Sequence, residues 1–148
     1  MSKSFWPGLA FLALLPLACN AADFASATPA PRVEYWEKRL QQINAQVEDR
    51  AALPQVKLLF VGDSITDFWL LHDNPWVQGQ KFGGAIWDAT FATPGSANYA
   101  LNVGISGDRT EHVLYRLQPK AEGGLGQLDA AELAPEFIVL MIGINNTW

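Results

Sequence analysis

The stretch Leu58–Trp69 reads LLFVGDSITDFW. An aliphatic run breaks off into Gly62, Asp63 and Ser64 and then resumes with apolar residues Ile65, Phe68, Trp69 and Leu71 at helical spacing. From Val56 to Val61 the run is apolar on both faces apart from Lys57, the pattern of a strand covered on both sides. Gly62 therefore opens a strand-to-helix turn, and two readings compete for its serine. A serine at a helix start is ordinarily a cap; it can also be a nucleophile held up at a strand end.

Working outward, Trp36, Leu40, Ile43 and Val47 fall at steps of four, three and four and predict an amphipathic helix before the strand, with Pro54 closing the connection. Downstream, Leu71 to Ala97 reads as irregular, and its Trp76, Phe82, Trp87 and Phe91 read as packing residues. A second strand is predicted around Tyr99–Val103. It is followed by the turn GISGDRT and a helix carrying Val113, Leu114 and Leu117 on one side. AEGGLGQLDAAEL reads as a loop with at most one helical turn, and Phe137–Ile142 (FIVLMI) as a third apolar strand ending in GINN. Three strands thus each run into a glycine-containing polar turn. If they are parallel, the turns gather at the carboxyl ends, where open parallel sheets bind ligands.

Composition narrows the chemistry. Lys3 precedes an apolar run, Phe5–Ala18, with small residues at Ala21 and Ala22, the layout of an export signal cleaved near Ala21. Pro7 and Pro16 interrupt the run, which falls short of a membrane span. A lipid attached to Cys19 is the alternative, which Pro16 disfavours. Removal of residues 1–21 as a secretory signal peptide leaves a flexible linker over 22–33 and a domain over 34–148. Cys19 is the single cysteine, so the mature chain would carry no disulfide, thiolate or cysteine-held zinc. The net charge of -5 and the lack of a basic run disfavour nucleic acid as a partner.

The turns offer a serine hydroxyl at Ser64, backbone N–H groups at Gly104 and Gly107, and the side-chain amides of Asn145 and Asn146. Each alone is a turn former. Together they are what acyl transfer needs: an attacking oxygen and donors aimed at the charge developing on a carbonyl oxygen. The rival classes are a sugar- or lipid-binding protein that keeps the scaffold without turnover, and a phosphoester hydrolase. The latter would want a metal cluster or a basic cradle, and only Arg109 stands close to the turns in sequence.

With these residues in hand, the chain resembles the GDSL esterase-lipase (SGNH hydrolase) family, in the branch of the platelet-activating-factor acetylhydrolase catalytic subunits. VGDSIT resembles the first block, with isoleucine where many members have leucine; NVGISGDRTEHVLYRL resembles the second and IGINN the third. The resemblance spans roughly Trp36 to Asn146. It implies an α/β fold, a three-layer α/β/α arrangement with a parallel flavodoxin-like sheet of which only the N-terminal part is present. It makes Ser64 the nucleophile and an oxyanion N–H donor, Gly107 a second N–H donor and Asn145 the side-chain donor. Asp63, Asp108 and His112 become structural residues near the site. The implied substrate is a small-molecule ester, an acylated carbohydrate or lipid, with no metal or organic cofactor. The sequence departs from the family where its histidine base, in a D-x-x-H block, should come: the chain has only His72 and His112 and ends at Trp148. His72 reads as a surface or packing residue. The reading is of an incomplete piece of a longer esterase, inactive alone; the alternative is a short product that pairs with another polypeptide or serves as a binding remnant.

Overall fold

The structure, a computed structural model, describes residues 24–32 and 35–147. The expected leader and its cleavage zone lie outside the described residues, as do part of the linker and Trp148.

The stripe of Trp36 and Ile43 builds helix α1 (Tyr35–Glu48), with Leu40 and Val47 half-buried beside them. Arg39 is also buried there. Asp49 stops the helix by accepting the N–H groups of Ala51 and Ala52 on one carboxylate oxygen. Strand β1 (Leu58–Gly62) begins two residues later than the apolar run suggests. The N–H groups of Lys57 and Leu58 both go to the Tyr99 carbonyl, and the Lys57 carbonyl accepts from Glu136 and Phe137, so this lead-in clamps all three strand starts without extending the ladder. Helix α2 (Ser64–Asp67) is a single turn that tightens into a 3-10 turn over Phe68–Leu70.

The segment read as irregular holds a further helix, α3 (Gly84–Thr90). Its Trp87 is buried as expected, whereas Trp76 is largely exposed even though its ring meets Phe68 and Phe82. Strand β2 (Ala100–Asn102), helix α4 (Thr110–Leu117) and strand β3 (Phe137–Met141) complete the order. The loop between α4 and β3 carries one 3-10 turn, Lys120–Glu122.

The strands form one sheet in the order β2-β1-β3, and both pairings are parallel. Successive residues of a strand face opposite ways, and β1 shows where each goes. Leu59 and Val61 join Trp36, Ile43 and Val113 in the buried core, placing α1 and α4 on one face. Phe60 points the other way and meets Trp87 and Phe91 edge-on, placing α3 on the opposite face. The fold is thus α/β with layers on both sides of a parallel, flavodoxin-like sheet. Because β2 and β3 flank β1 on opposite sides, the connection reverses direction at β1. The crevice at such a switch point lies between the carboxyl ends of β1 and β3. Among the described residues no helix is long and apolar enough to cross a membrane.

Candidate active site

Ser64 and Asn145 come directly after the two strands that bound that crevice. At the end of β1, Gly62 is required by close approach: a Cβ there would collide with the Met141 carbonyl of β3 and with the Thr66 hydroxyl. Asp63, almost fully buried, caps α2 through its carboxylate, which accepts the Ile65 N–H at 3.0 Å. The cap is thus the aspartate and not the serine. Ser64 sits partly buried at the first helical position, where its N–H is one of the orphan donors of the first turn. Among the described residues its hydroxyl has no hydrogen-bond partner.

The second turn runs on beside β1, since Val103 and Ile105 donate to the carbonyls of Phe60 and Gly62. Asn102 locks the turn to α2, donating to the Thr66 carbonyl at 2.7 Å and accepting the Gly104 N–H at 2.9 Å. Asp67, buried at the end of α2, accepts the Ser106 N–H, the Tyr35 hydroxyl and Arg39 Nε, each at 2.9 Å. Arg39 also donates to the carbonyls of Asn102 and Gly104. Gly107 then turns with φ +80°, which favours glycine, and among the described residues its N–H has no partner.

Asp108 is fully buried between two guanidiniums, Arg116 at 2.8 and 3.0 Å and Arg32 at 3.1 Å. Burial pushes its carboxyl up from the ordinary value, with Arg116 and Arg32 acting against that. Burial likewise pulls Arg116 down, opposed by Asp108. Arg32 reaches the turn from the segment before α1 and also donates to the Ser106 carbonyl. That segment is held to α4 by the Ala30 N–H on the Glu111 carbonyl and by the Thr110 hydroxyl on the Ser26 carbonyl.

The third turn, a 3-10 turn over Ile144–Thr147, joins the other two. Asn145 Nδ2 donates to the Asp108 carbonyl at 2.7 Å and makes only a long 3.5 Å contact with Asp63 Oδ2. The first bond fixes the amide plane and leaves the second hydrogen weakly engaged. Asn146 accepts the Thr110 N–H at 3.0 Å and donates to Glu111 at 2.8 Å, tying the turn to the start of α4.

The structure therefore ties Asp63, Asn145 and Asp108 together through the Asn145 amide, with Ser64 following Asp63 and Gly107 preceding Asp108 in the chain. His112 stands at its margin, its Nδ1 accepting the Arg109 N–H at 3.0 Å. Burial first, then Arg32, lowers its pKa from the usual histidine value, so it is neutral at pH 7. His72 is on the surface, paired with Asp88 at 3.0 Å. Neither histidine is hydrogen-bonded to Ser64. Sequence reasoning missed Arg39, Asp67, Asn102, Arg116 and Arg32. A signal for Arg39 existed: with Trp36 and Ile43 it continues the buried helical stripe at steps of three and four.

A serine with a free hydroxyl at a helix start, a glycine N–H without a partner among the described residues and an oriented amide, each in the turn after a strand, are groups that acyl transfer can use. Residues 60–148 match the GDSL-like Lipase/Acylhydrolase family, and the chain belongs to it. It is 33% identical over 90 residues to platelet-activating factor acetylhydrolase IB subunit alpha1 of Rattus norvegicus, covering 61% of this chain and 28% of that protein. To the alpha2 subunit of Homo sapiens it is 35% identical over 89 residues, 60% of this chain and 28% of that protein. The matched segment thus spans less than a third of either relative.

Proposed function

We propose that this chain carries the nucleophile and oxyanion half of a serine ester hydrolase for small acyl esters, most simply acetyl esters of a carbohydrate or lipid. The observation that carries the reading is the Ser64 hydroxyl, which has no hydrogen-bond partner among the described residues and follows the carboxyl end of β1 at the switch point of the sheet. Ser64 Oγ attacks the ester carbonyl carbon and gives its proton to a histidine supplied from outside these 148 residues. The N–H groups of Ser64 and Gly107 and the second Asn145 amide hydrogen take the charge on the carbonyl oxygen. The alcohol leaves with the proton, and water, deprotonated by the same base, releases the acid and restores the serine. Asp63 and Asp108 hold the turns and exchange no proton. The name acetylhydrolase borne by the relatives supports the acetyl group.

The second reading, an inactive fragment or a non-catalytic binding protein, is favoured by one observation: both histidines are engaged elsewhere. Hydrolysis of p-nitrophenyl acetate separates the two. The 148-residue chain alone is expected to show little or no turnover, and the protein completed with a D-x-x-H segment to show full activity. In that completed protein Ser64→Ala is expected to abolish turnover. Asn145→Ala should cost about 3 kcal/mol, roughly a hundredfold in kcat. Turnover that survives Ser64→Ala would overturn the assignment.

We also propose that the protein is exported, on the Lys3 and Phe5–Ala18 pattern. Mass spectrometry of the protein recovered from outside the cytoplasm should find a chain beginning near Ala22. An intact Met1 on a cytoplasmic product would refute export.

A further inference from the structure

Between the second half of α1 and the loop that joins α4 to β3 lies a cavity of about 790 Å³, in the upper part of the range of small-molecule sites. Leu40, Asn44 and Glu48 line it from α1, and Lys120, Gln127 and Asp129 from the loop. Ser64 lines a different pocket, so this cavity is separate from the candidate active site. Backbone bonds to the last turns of α4 fix the loop wall: Leu125 N–H to the Tyr115 carbonyl at 2.9 Å, Gly126 N–H to that of Gln118 at 2.9 Å and Gln127 N–H to that of Arg116 at 3.0 Å. Gly126 turns there with φ +56°, and a Cβ on it would run into the Asp129 carboxylate, which folds the loop back by accepting the Lys120 N–H at 3.2 Å.

Gln127 is only 4% exposed, and its amide is half satisfied. Its Oε1 accepts Arg116 Nη1, while its Nε2, shielded from solvent, has no partner among the described residues. Arg116 carries donors only, so the amide cannot turn round to exchange the two ends. A buried donor without an acceptor costs about 1–3 kcal/mol, and the cavity that Gln127 lines is the space from which an acceptor can reach it. The half-buried Asn44 side chain on the facing helix also has no partner among the described residues. Leu40, Val47 and Leu125 set apolar surface beside these amides. A hydrocarbon would leave the amides and carboxylates unmet. An anion would face Glu48 and Asp129, and a cation would face Lys120, while Arg50 and Glu132 already pair with each other at 2.6 Å. A neutral molecule whose hydroxyls both donate and accept meets every group, and its C–H faces can lie on the leucines. We infer that this cavity is a second ligand site, for a short neutral carbohydrate. Sugar oxygens accept from Gln127 Nε2 and Lys120, and sugar hydroxyls donate to Glu48 and Asp129. The inference goes beyond the proposed reaction and stands whether or not Ser64 is a nucleophile.

Titration calorimetry of the full chain with cellobiose and with maltose, against citrate as the anion and spermidine as the cation, tests the site. At least one disaccharide is expected to bind about tenfold or more tightly than either ion. Asn44→Leu and Gln127→Glu should each weaken that disaccharide at least about fivefold, the loss of one hydrogen bond. Gln127→Glu keeps an acceptor for Arg116 and removes only the donor. Should it fail to fold by circular dichroism, Asn44→Leu, at a half-buried helical position, carries the test. No binding of either disaccharide, tighter binding of citrate or spermidine, or disaccharide binding unmoved by the variants that fold would overturn the inference. Disaccharide binding that these variants weaken, together with hydrolysis that ignores Ser64→Ala, would support the cavity and sink the esterase reading alone.

Discussion

Strands β1 and β3 are both five-residue aliphatic runs ending at glycine turns, they pair with each other along their whole length, and they differ in what covers them. In β1, Leu59 and Val61 are 1% and 2% exposed; in β3, Phe137 and Leu140 are 65% and 62% exposed, and the other three residues are exposed as well. β3 also leaves one edge without a strand among the described residues. An aliphatic run therefore specifies a strand but not its cover. The carboxyl end of β3 is nevertheless well anchored, through Asn145 on Asp108 and Asn146 on Thr110 and Glu111. The site is held by polar bonds while the strand that delivers it is bare.

The largest effect should come from the buried side of this contrast. Arg116→Met removes both N–H donors on Oδ2 of a fully buried Asp108 and leaves Arg32 alone to face it. The cost should be about 3–5 kcal/mol, read from denaturant titration. A loss under about 1 kcal/mol would mean that Asp108 takes up a proton or water instead, and that the second turn does not depend on its charge.

A matched pair of truncations addresses the strands themselves. Leu59→Ala should cost about 2–5 kcal/mol because it leaves a cavity in the core. Leu140→Ala should stay within about 0.5 kcal/mol because its side chain is already in solvent. If the two cost alike, β3 is covered in solution. Covering by another copy of the chain through the open apolar edge would show as a stability that rises with protein concentration and a larger species in size-exclusion chromatography. A concentration-independent monomer with a costly Leu140→Ala would break the comparison outright.

Legibility in the sequence divides along the same line. All three strands, α1 and α4 were legible, because each is a run or stripe of apolar residues with a period. The three turns were legible from glycine beside polar residues at strand ends. Helix α3 was not: it opens on two glycines, exposes Ile86 and buries Trp87, which leaves no repeating stripe. The supports of the site were hidden for a different reason. Arg39, Asp67 and Arg116 are charged residues in a buried position, which composition reads as surface. Their burial is tolerated only because partners converge on them, Asp67 lying 28 residues and Asn102 lying 63 residues from Arg39. The candidate nucleophile and candidate donors were visible as residue types; which of them had free hydrogen-bonding capacity became visible only in three dimensions.

The smallest effect concerns Tyr35, which links α1 to Asp67 and, through it, to the Ser106 N–H in the second turn. Burial, followed by its hydrogen bond to Asp67, raises the phenol from 10.0 to about 12. A raised pKa means that the folded state holds the proton more tightly than the unfolded chain. The Tyr35 contribution to stability is then complete below pH about 10 and disappears as pH climbs through that window to about 12. Tyr35 is partly exposed, so the effect should be modest. Ultraviolet titration should reveal one tyrosine ionising near 12, and Tyr35→Phe should remove that component while flattening the alkaline loss of stability over the same window. Tyr99, also raised by burial and by Asp49, is untouched by that change and serves as the internal reference. If the component near 12 survived in Tyr35→Phe, the Tyr35–Asp67 bond would not exist in solution, and Asp67 would be held by Arg39 and the Ser106 N–H without Tyr35.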